Sequence, residues 1–171
     1  HNAKFSEQHP EWTFERKAEF YRKSILKKKE LVSLLRQKNF DILANNPNIS
    51  VITGEASFLD SKHVAVKTLH GEDLVLTADK IFINTGSTEF IPLIKGIDSK
   101  QVFTSKTLLD YDQLPQSMCI VGGGYIGLEF ASMYASFGTK VTVLEFGSEL
   151  IAREDRDIAE AVQQRLEKRG V

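Results

Sequence analysis

The sequence predicts an α/β protein, in which a long helix and a small antiparallel meander precede a strand–helix–strand–helix unit of the doubly wound kind. Three observations lead there. Apolar residues across 12–44 recur at mixed three- and four-residue steps with charges between them, the pattern of a helix with one apolar stripe. Short β-type runs then alternate with turn-forming clusters. From Ser117 onward two continuous apolar runs each lead into a helix, the first through a glycine-rich turn.

Taken in order, the first helix is marked by Phe20, Ile25, Leu26, Leu31, Leu34, Leu35 and Ile42. Lys27, Lys28 and Lys29 form a basic knot on it, read as a solvated face because no aromatic residues are interleaved to stack on bases. Asn45-Asn46-Pro47-Asn48 is a turn by composition. Strands are expected at 50–53, 63–69 and 74–77, with 80–84 continuing the last as a buried strand around Ile81-Phe82-Ile83. Their separators, Asp60-Ser61-Lys62 and His70-Gly71-Glu72-Asp73, carry good turn chemistry. Residues 91–116 read as a connector, with Pro92 and Pro115 interrupting regular structure. Met118-Cys119-Ile120-Val121 has the unbroken apolarity of a parallel strand buried on both faces, so Cys119 is expected to be a buried structural thiol. A helix over 125–137, a second strand over 140–144 and a second helix over 155–168 complete the unit. The chain thus divides into segments 1–90, 91–116 and 117–171. It opens at His1 without Met and stops at Arg169-Gly170-Val171, where a strand would normally follow, so it reads as part of a longer protein.

Composition narrows the function classes. With 42% apolar and 26% charged residues the chain is of the globular type. A net charge of −1 argues against general affinity for nucleic acid or anionic membrane. No apolar run reaches bilayer length, and no secretory signal opens the chain. One cysteine excludes an internal disulfide and suits a reducing compartment, which makes a cytoplasmic location the expectation. No grouping has metal-ligand spacing.

The chemistry is carried by Gly122-Gly123-Gly124-Tyr125-Ile126-Gly127, which fits G-x-G-x-x-G between a strand and a helix. Gly122 permits the tight turn. Gly124, lacking a side chain, lets a pyrophosphate approach the backbone, and Gly127 lets the helix lie close to the strand. The phosphates would sit at the amino end of the Tyr125 helix, where free N–H groups and the helix dipole favour an anion. Glu145 closes the second strand about 20 residues on, where a carboxylate can accept both ribose hydroxyls and would repel a 2′-phosphate. NAD is therefore expected over NADP. Arg153 and Arg156 would favour NADP only if their loop folded back onto the site. The plainer readings are a glycine turn that only packs a helix on a sheet, and a surface Glu at a strand end.

These residues resemble more than a generic Rossmann unit. The run from Gly122 to Ala131, Gly-Gly-Gly-Tyr-Ile-Gly-Leu-Glu-Phe-Ala, is similar to the nicotinamide-domain signature of the flavin-dependent pyridine nucleotide-disulfide oxidoreductases. That family includes dihydrolipoamide dehydrogenase, glutathione reductase, mercuric reductase and hypothiocyanous acid reductase. Upstream, the run from Thr77 to Ser87 resembles the family's strand ending in Ala-Thr-Gly, and Gly54-Glu55-Ala56-Ser57-Phe58 resembles its adenine-side Gly-x-Ala-x-Phe stretch. Asn84 stands where Ala is commoner, which brings to mind the hypothiocyanous acid reductase branch without identifying a substrate.

The resemblance implies a central portion of a two-dinucleotide-binding-domain flavoprotein: helix and meander from the FAD domain, then a Rossmann βαβα from the NAD domain. It implies that Tyr125 gates the flavin face and Glu129 positions the nicotinamide. It also implies that Glu55 and Ala56 border the FAD adenine and that Thr85 and Gly86 pass near the flavin. Each has a plainer alternative: a core aromatic for Tyr125, a surface side chain for Glu129, a simple turn for Thr85-Gly86. The family's redox cysteine pair, its flavin glycine loop, and its interface domain with a His-Glu pair and the dimer contact lie outside this sequence. None of His1, His9, His63 or His70 has a pattern that could substitute. The expected function is passage of hydride from NADH through FAD to a disulfide or related small-molecule acceptor, in a homodimer. The alternatives are an NADH oxidase or flavin reductase of the same fold, or a non-catalytic nucleotide-binding module. The chain alone is expected to be catalytically inactive.

Overall fold

A computed structural model describes residues 2–171. In chain order the elements are α1 (Asn2–Glu7), α2 (Phe14–Ala44), β1 (Gly54–Phe58), β2 (His63–Thr68), β3 (Asp73–Thr77), α3 (Ser105–Leu108), β4 (Ser117–Val121), α4 (Tyr125–Ser136), β5 (Lys140–Leu144) and α5 (Arg156–Glu167). They form two compact units: residues up to Leu31 together with Ile91–Val171, and Val32–Phe90. These groupings differ from the three sequence segments because α1 and the first half of α2 pack with α4.

In the Val32–Phe90 unit, β1, β2 and β3 form an antiparallel meander with β2 in the centre. β1 pairs with β2 from Gly54↔Thr68 to Phe58↔Val64, and β2 with β3 from His63↔Thr77 to Lys67↔Asp73. The Asp60 carboxylate takes N–H bonds from Lys62 and His63 at 2.8 and 2.9 Å, which shapes the first hairpin turn. Two expectations are corrected here. The first strand is Gly54–Phe58 rather than 50–53: the ladder with β2 begins at Gly54, and Thr53 contributes only a carbonyl to Leu69 N–H. Residues 80–84 form no strand, and Phe82 and Ile83 are 88% and 72% exposed instead of buried. A strand needs a neighbour to complete its hydrogen bonds, and none among the described residues runs beside this segment.

The other unit is built on β4 and β5, paired in parallel from Ser117↔Lys140 to Val121↔Leu144. Alternation decides what each strand buries. Met118, Ile120, Val141 and Val143 face a core of Tyr21, Ile25, Leu114, Ala131, Tyr134 and Phe137. A second cluster of Leu128, Ile151, Ala159 and Leu166 packs α5 against α4. Ser117, Cys119 and Val121 are exposed on the opposite face, so the buried thiol expected at Cys119 is an exposed one. The reason is that helices cover only one face of this two-stranded sheet.

At the centre of the core Tyr21 and Tyr134 are 1% and 0% exposed, with hydroxyls 2.7 Å apart. The Tyr21 hydroxyl proton goes to the Tyr111 carbonyl at 2.9 Å, so Tyr134 is the donor within the pair. Burial raises both phenol pKa values. Helix α1, not expected from sequence, seats Phe5 against Trp12 and Phe20. Helix α3 is a single turn inside the expected connector, between the two prolines, and is started by the reciprocal Thr104–Thr107 capping box.

Candidate nucleotide site

The site is built where β4 and β5 end. Gly122 N–H donates to Leu144 O at 2.8 Å, adding one last rung to the parallel ladder. The chain then turns sharply at Gly122, where φ is +108°, a left-handed conformation that favours glycine. Gly124 is the extended N-cap of α4, and no side chain caps the helix. The first N–H to be satisfied inside α4 is that of Leu128, bonded to Gly124 O at 3.0 Å. The preceding N–H groups and the positive end of the helix dipole are left for an anion.

The other three glycines of the run have distinct surroundings. A Cβ on Gly127 would lie 2.4 Å from Gly122 O, so the helix approaches the turn too closely for any side chain. A Cβ on Gly124 would meet nothing within 4 Å, so the backbone is open there. Gly123 is buried; a Cβ there would strike Leu150 at 2.5 Å. Ile126 is 59% exposed on the first turn of α4.

Glu145 is drawn onto this turn. Its Oε2 accepts Gly123 N–H at 2.6 Å and its Oε1 accepts Gly147 N–H at 2.7 Å. These backbone donors, Gly147 first, hold the carboxyl below its ordinary pKa although the residue is exposed. Each carboxylate oxygen retains a lone pair, so both ribose hydroxyls can still be accepted. Arg156 is turned to Glu160 and Glu149, at 3.0 and 3.5 Å, and is not folded over Glu145.

Tyr125 opens α4, is 52% exposed, and donates its hydroxyl to Glu154 Oε1. That bond is the main reason its phenol pKa is raised. Glu129, one turn further on, is exposed and makes no hydrogen bond or ion pair among the described residues. The two line one cavity of about 950 Å³ with Leu128, Ser132, Met133 and Ile151, as positions four apart on a helix should.

The structure thus brings Gly122, Gly123, Gly124, Tyr125, Ile126, Gly127, Glu129 and Glu145 together around one turn and one helix. The remaining sequence candidates lie in the Val32–Phe90 unit. Glu55 and Ala56 are exposed on β1, paired with Lys67 and Val66. Thr85 and Gly86 lie exposed in an extended segment, with Gly86 at φ +72°. Sequence reasoning missed the loop after β5, where Ile151 N–H donates to Gly123 O at 3.0 Å and Glu154 meets Tyr125. Only a three-dimensional contact marks these residues; their spacing from the glycines carries no motif. No group of three His, Cys, Asp or Glu among the described residues could hold a metal ion, and none of their helices is long and apolar enough to cross a membrane.

The chain is similar to known proteins over most of its length. The chain is 47% identical over 150 residues to the probable pyridine nucleotide-disulfide oxidoreductase RclA of Escherichia coli strain K12, covering 87% of this chain and 34% of that protein. It is 35% identical over 145 residues to dihydrolipoyl dehydrogenase of Bacillus subtilis, covering 85% and 31%. A mercuric reductase of Lysinibacillus sphaericus is 31% identical over 147 residues, covering 86% and 26%. Among solved structures, the HOCl-induced flavoprotein disulfide reductase RclA from Escherichia coli superposes with a TM-score of 0.81 at 47% identity, over 87% of this chain and 34% of that one. A Cu(II) complex of the same reductase gives 0.82 at 41% identity over 100% and 38%. The chain spans about a third or less of the length of these relatives, and the fold is a portion of the flavoprotein disulfide reductase fold. Residues 6–171 match the family described as pyridine nucleotide-disulphide oxidoreductase, and the chain belongs to that family.

Proposed function

We propose that this chain supplies the entry point for NADH in an FAD-dependent pyridine nucleotide-disulfide oxidoreductase. The observation that carries the reading is the turn at Gly122–Gly127: open backbone at Gly124, an uncapped helix start, and Glu145 anchored to the turn with lone pairs to spare. When bound, nicotinamide and flavin would supply two-electron hydride chemistry, which together with one proton from solvent suffices to reduce a disulfide to two thiols. The chain's own part is to bind the pyrophosphate at α4, hold the adenosine ribose at Glu145, and present Tyr125 and Glu129 along the wall beside the nicotinamide.

The carboxylate favours NADH over NADPH, because a 2′-phosphate would meet a like charge, and Arg156 is occupied elsewhere. Family membership and flavoprotein relatives support FAD as the second cofactor. On the same footing we assign segment 1–90 to the flavin domain, 91–116 to a connector and 117–171 to the nicotinamide domain. Glu55, Ala56, Thr85 and Gly86 would then lie on the flavin side. A homodimer, a cytoplasmic location and a disulfide or related small-molecule acceptor complete the proposal, with neither nucleic acid nor membrane as a partner.

The test is a visible spectrum of the purified protein before and after NADH is added without oxygen. A flavin band that bleaches on addition supports the proposal. A flavin band that NADH leaves unchanged contradicts it.

A further inference from the structure

Among the described residues, Ile151 is the single non-glycine residue with a left-handed backbone, at φ +41°. A β-branched side chain is disfavoured there, so the conformation persists only where the surroundings impose it. Those surroundings are apolar and closed: Ile151 is buried in one cluster with Leu128 of α4 and with Ala159 and Leu166 of α5. Strain held in place by packing points to a task done by the backbone.

The task is found at Gly123. The bend turns the Ile151 N–H onto the Gly123 carbonyl at 3.0 Å. The Glu145 carboxylate takes the Gly123 N–H at 2.6 Å. Both backbone groups of the buried Gly123 are therefore committed to the loop that follows β5. The Gly123 carbonyl shares a peptide plane with the N–H of Gly124. That peptide is trans, so its N–H points opposite to its C=O. With the carbonyl aimed at Ile151, the Gly124 N–H is aimed away from the loop. It makes no hydrogen bond among the described residues, and a Cβ on Gly124 would meet nothing within 4 Å.

We propose that Ile151 is a positioning residue for the dinucleotide: its packed, left-handed backbone clamps the Gly123–Gly124 peptide and presets the Gly124 N–H to donate to the pyrophosphate. The inference rests on the nucleotide site proposed above, and it assigns the aim of a phosphate donor to a residue outside the glycine motif. Presetting that donor removes the ordering that a free peptide between two glycines would undergo on binding. A hydrogen bond to a charged group corresponds to about a tenfold or larger effect on affinity. In Ile151→Ala the packing that imposes the bend is lost, so residue 151 relaxes and its N–H leaves the Gly123 carbonyl.

The experiment combines calorimetric titration of NADH with NMR of the whole chain, for wild type, Ile151→Ala, Ile151→Leu and Leu166→Ala. In wild type a scalar coupling across the hydrogen bond should join the Ile151 nitrogen to the Gly123 carbonyl carbon. The Gly124 amide proton should move downfield as NADH is added. Ile151→Ala should lose the coupling and bind NADH about tenfold more weakly. Ile151→Leu, which keeps a large buried side chain, should recover both. Leu166→Ala truncates the same apolar cluster near the carboxyl end of α5 and should lower the unfolding midpoint while binding NADH as wild type does. No coupling in wild type, wild-type affinity in Ile151→Ala, or weaker binding there with the coupling retained would each overturn the clamp. So would equal weakening in Leu166→Ala, no recovery in Ile151→Leu, or a Gly124 proton that NADH leaves unmoved. All of these leave the nucleotide site standing as long as wild type binds NADH. If Ile151→Ala does not fold, the wild-type coupling and the Gly124 shift decide alone. Absence of NADH binding by wild type would instead remove the site itself, and the clamp with it.

Discussion

The Glu145 carboxylate bridges the two loops that form the site, accepting Gly123 N–H at 2.6 Å from the turn after β4 and Gly147 N–H at 2.7 Å from the loop after β5. The acid that should read the ribose thus also fixes the shape of the phosphate turn. Its preorganised geometry reduces what must be ordered when a nucleotide binds.

This bridge has a pH signature. Glu145 is more acidic in the folded chain than in the unfolded one, so the unfolded state binds its proton first as pH falls. The bridge contributes fully above the ordinary carboxylate pKa and is lost as pH drops through the lowered folded value. Amide exchange and shift titrations at Gly123 and Gly147, followed by NMR, should show a shared transition below the ordinary range. Glu145→Gln should abolish it.

Coenzyme choice depends on the same residue. Glu145→Arg should weaken NADH binding by about tenfold, since charged hydrogen bonds to the ribose are removed, and should shift preference toward NADPH. Parallel titrations with the two coenzymes check this. An unchanged preference would mean that Glu145 does not meet the ribose.

The glycine at the helix–strand contact acts on stability. Gly127→Ala would place Cβ about 2.4 Å from the Gly122 carbonyl, a backbone atom that cannot rotate away. Chemical denaturation should show a loss of about 1–3 kcal/mol, the usual range for overpacking at a closed contact.

The tyrosine pair predicts alkaline behaviour. Tyr21→Phe removes the donor to Tyr111 O and leaves the buried Tyr134 hydroxyl without its partner, at a cost of about 1–3 kcal/mol. Both phenol pKa values are raised by burial, so the unfolded chain ionises first as pH climbs. The stability contributed by the pair is present below the unfolded tyrosine value and is lost as pH rises from there through the folded values. Denaturation at neutral and strongly alkaline pH should show a steeper decline for wild type than for the Tyr21→Phe/Tyr134→Phe variant.

How much of this was legible in the sequence depended on how local the cause was. The turn at Gly122, the start of α4 and the pairing of β4 with β5 follow from glycine positions and continuous apolar runs, which are short-range signals. The exposure of Cys119 was not legible, because apolarity alone does not say whether both faces of a strand are covered. Ile81-Phe82-Ile83 misled for a related reason: a strand-like run becomes a strand only beside a partner. The Tyr125–Glu154 contact lay beyond any spacing rule, since its partners are 29 residues apart and depend on the unusual backbone at Ile151.

The central claim is that a dinucleotide lies against the backbone at Gly124, and calorimetric titration of NADH into wild type and Gly124→Val tests it most directly. A Cβ at Gly124 meets nothing within 4 Å and the residue has an ordinary φ of −79°, so the variant should fold with an unchanged unfolding midpoint. The account predicts saturable one-site binding by wild type and a loss of about tenfold or more in the variant, because the new side chain occupies the space of the pyrophosphate. Equal affinity in the two folded proteins would contradict it.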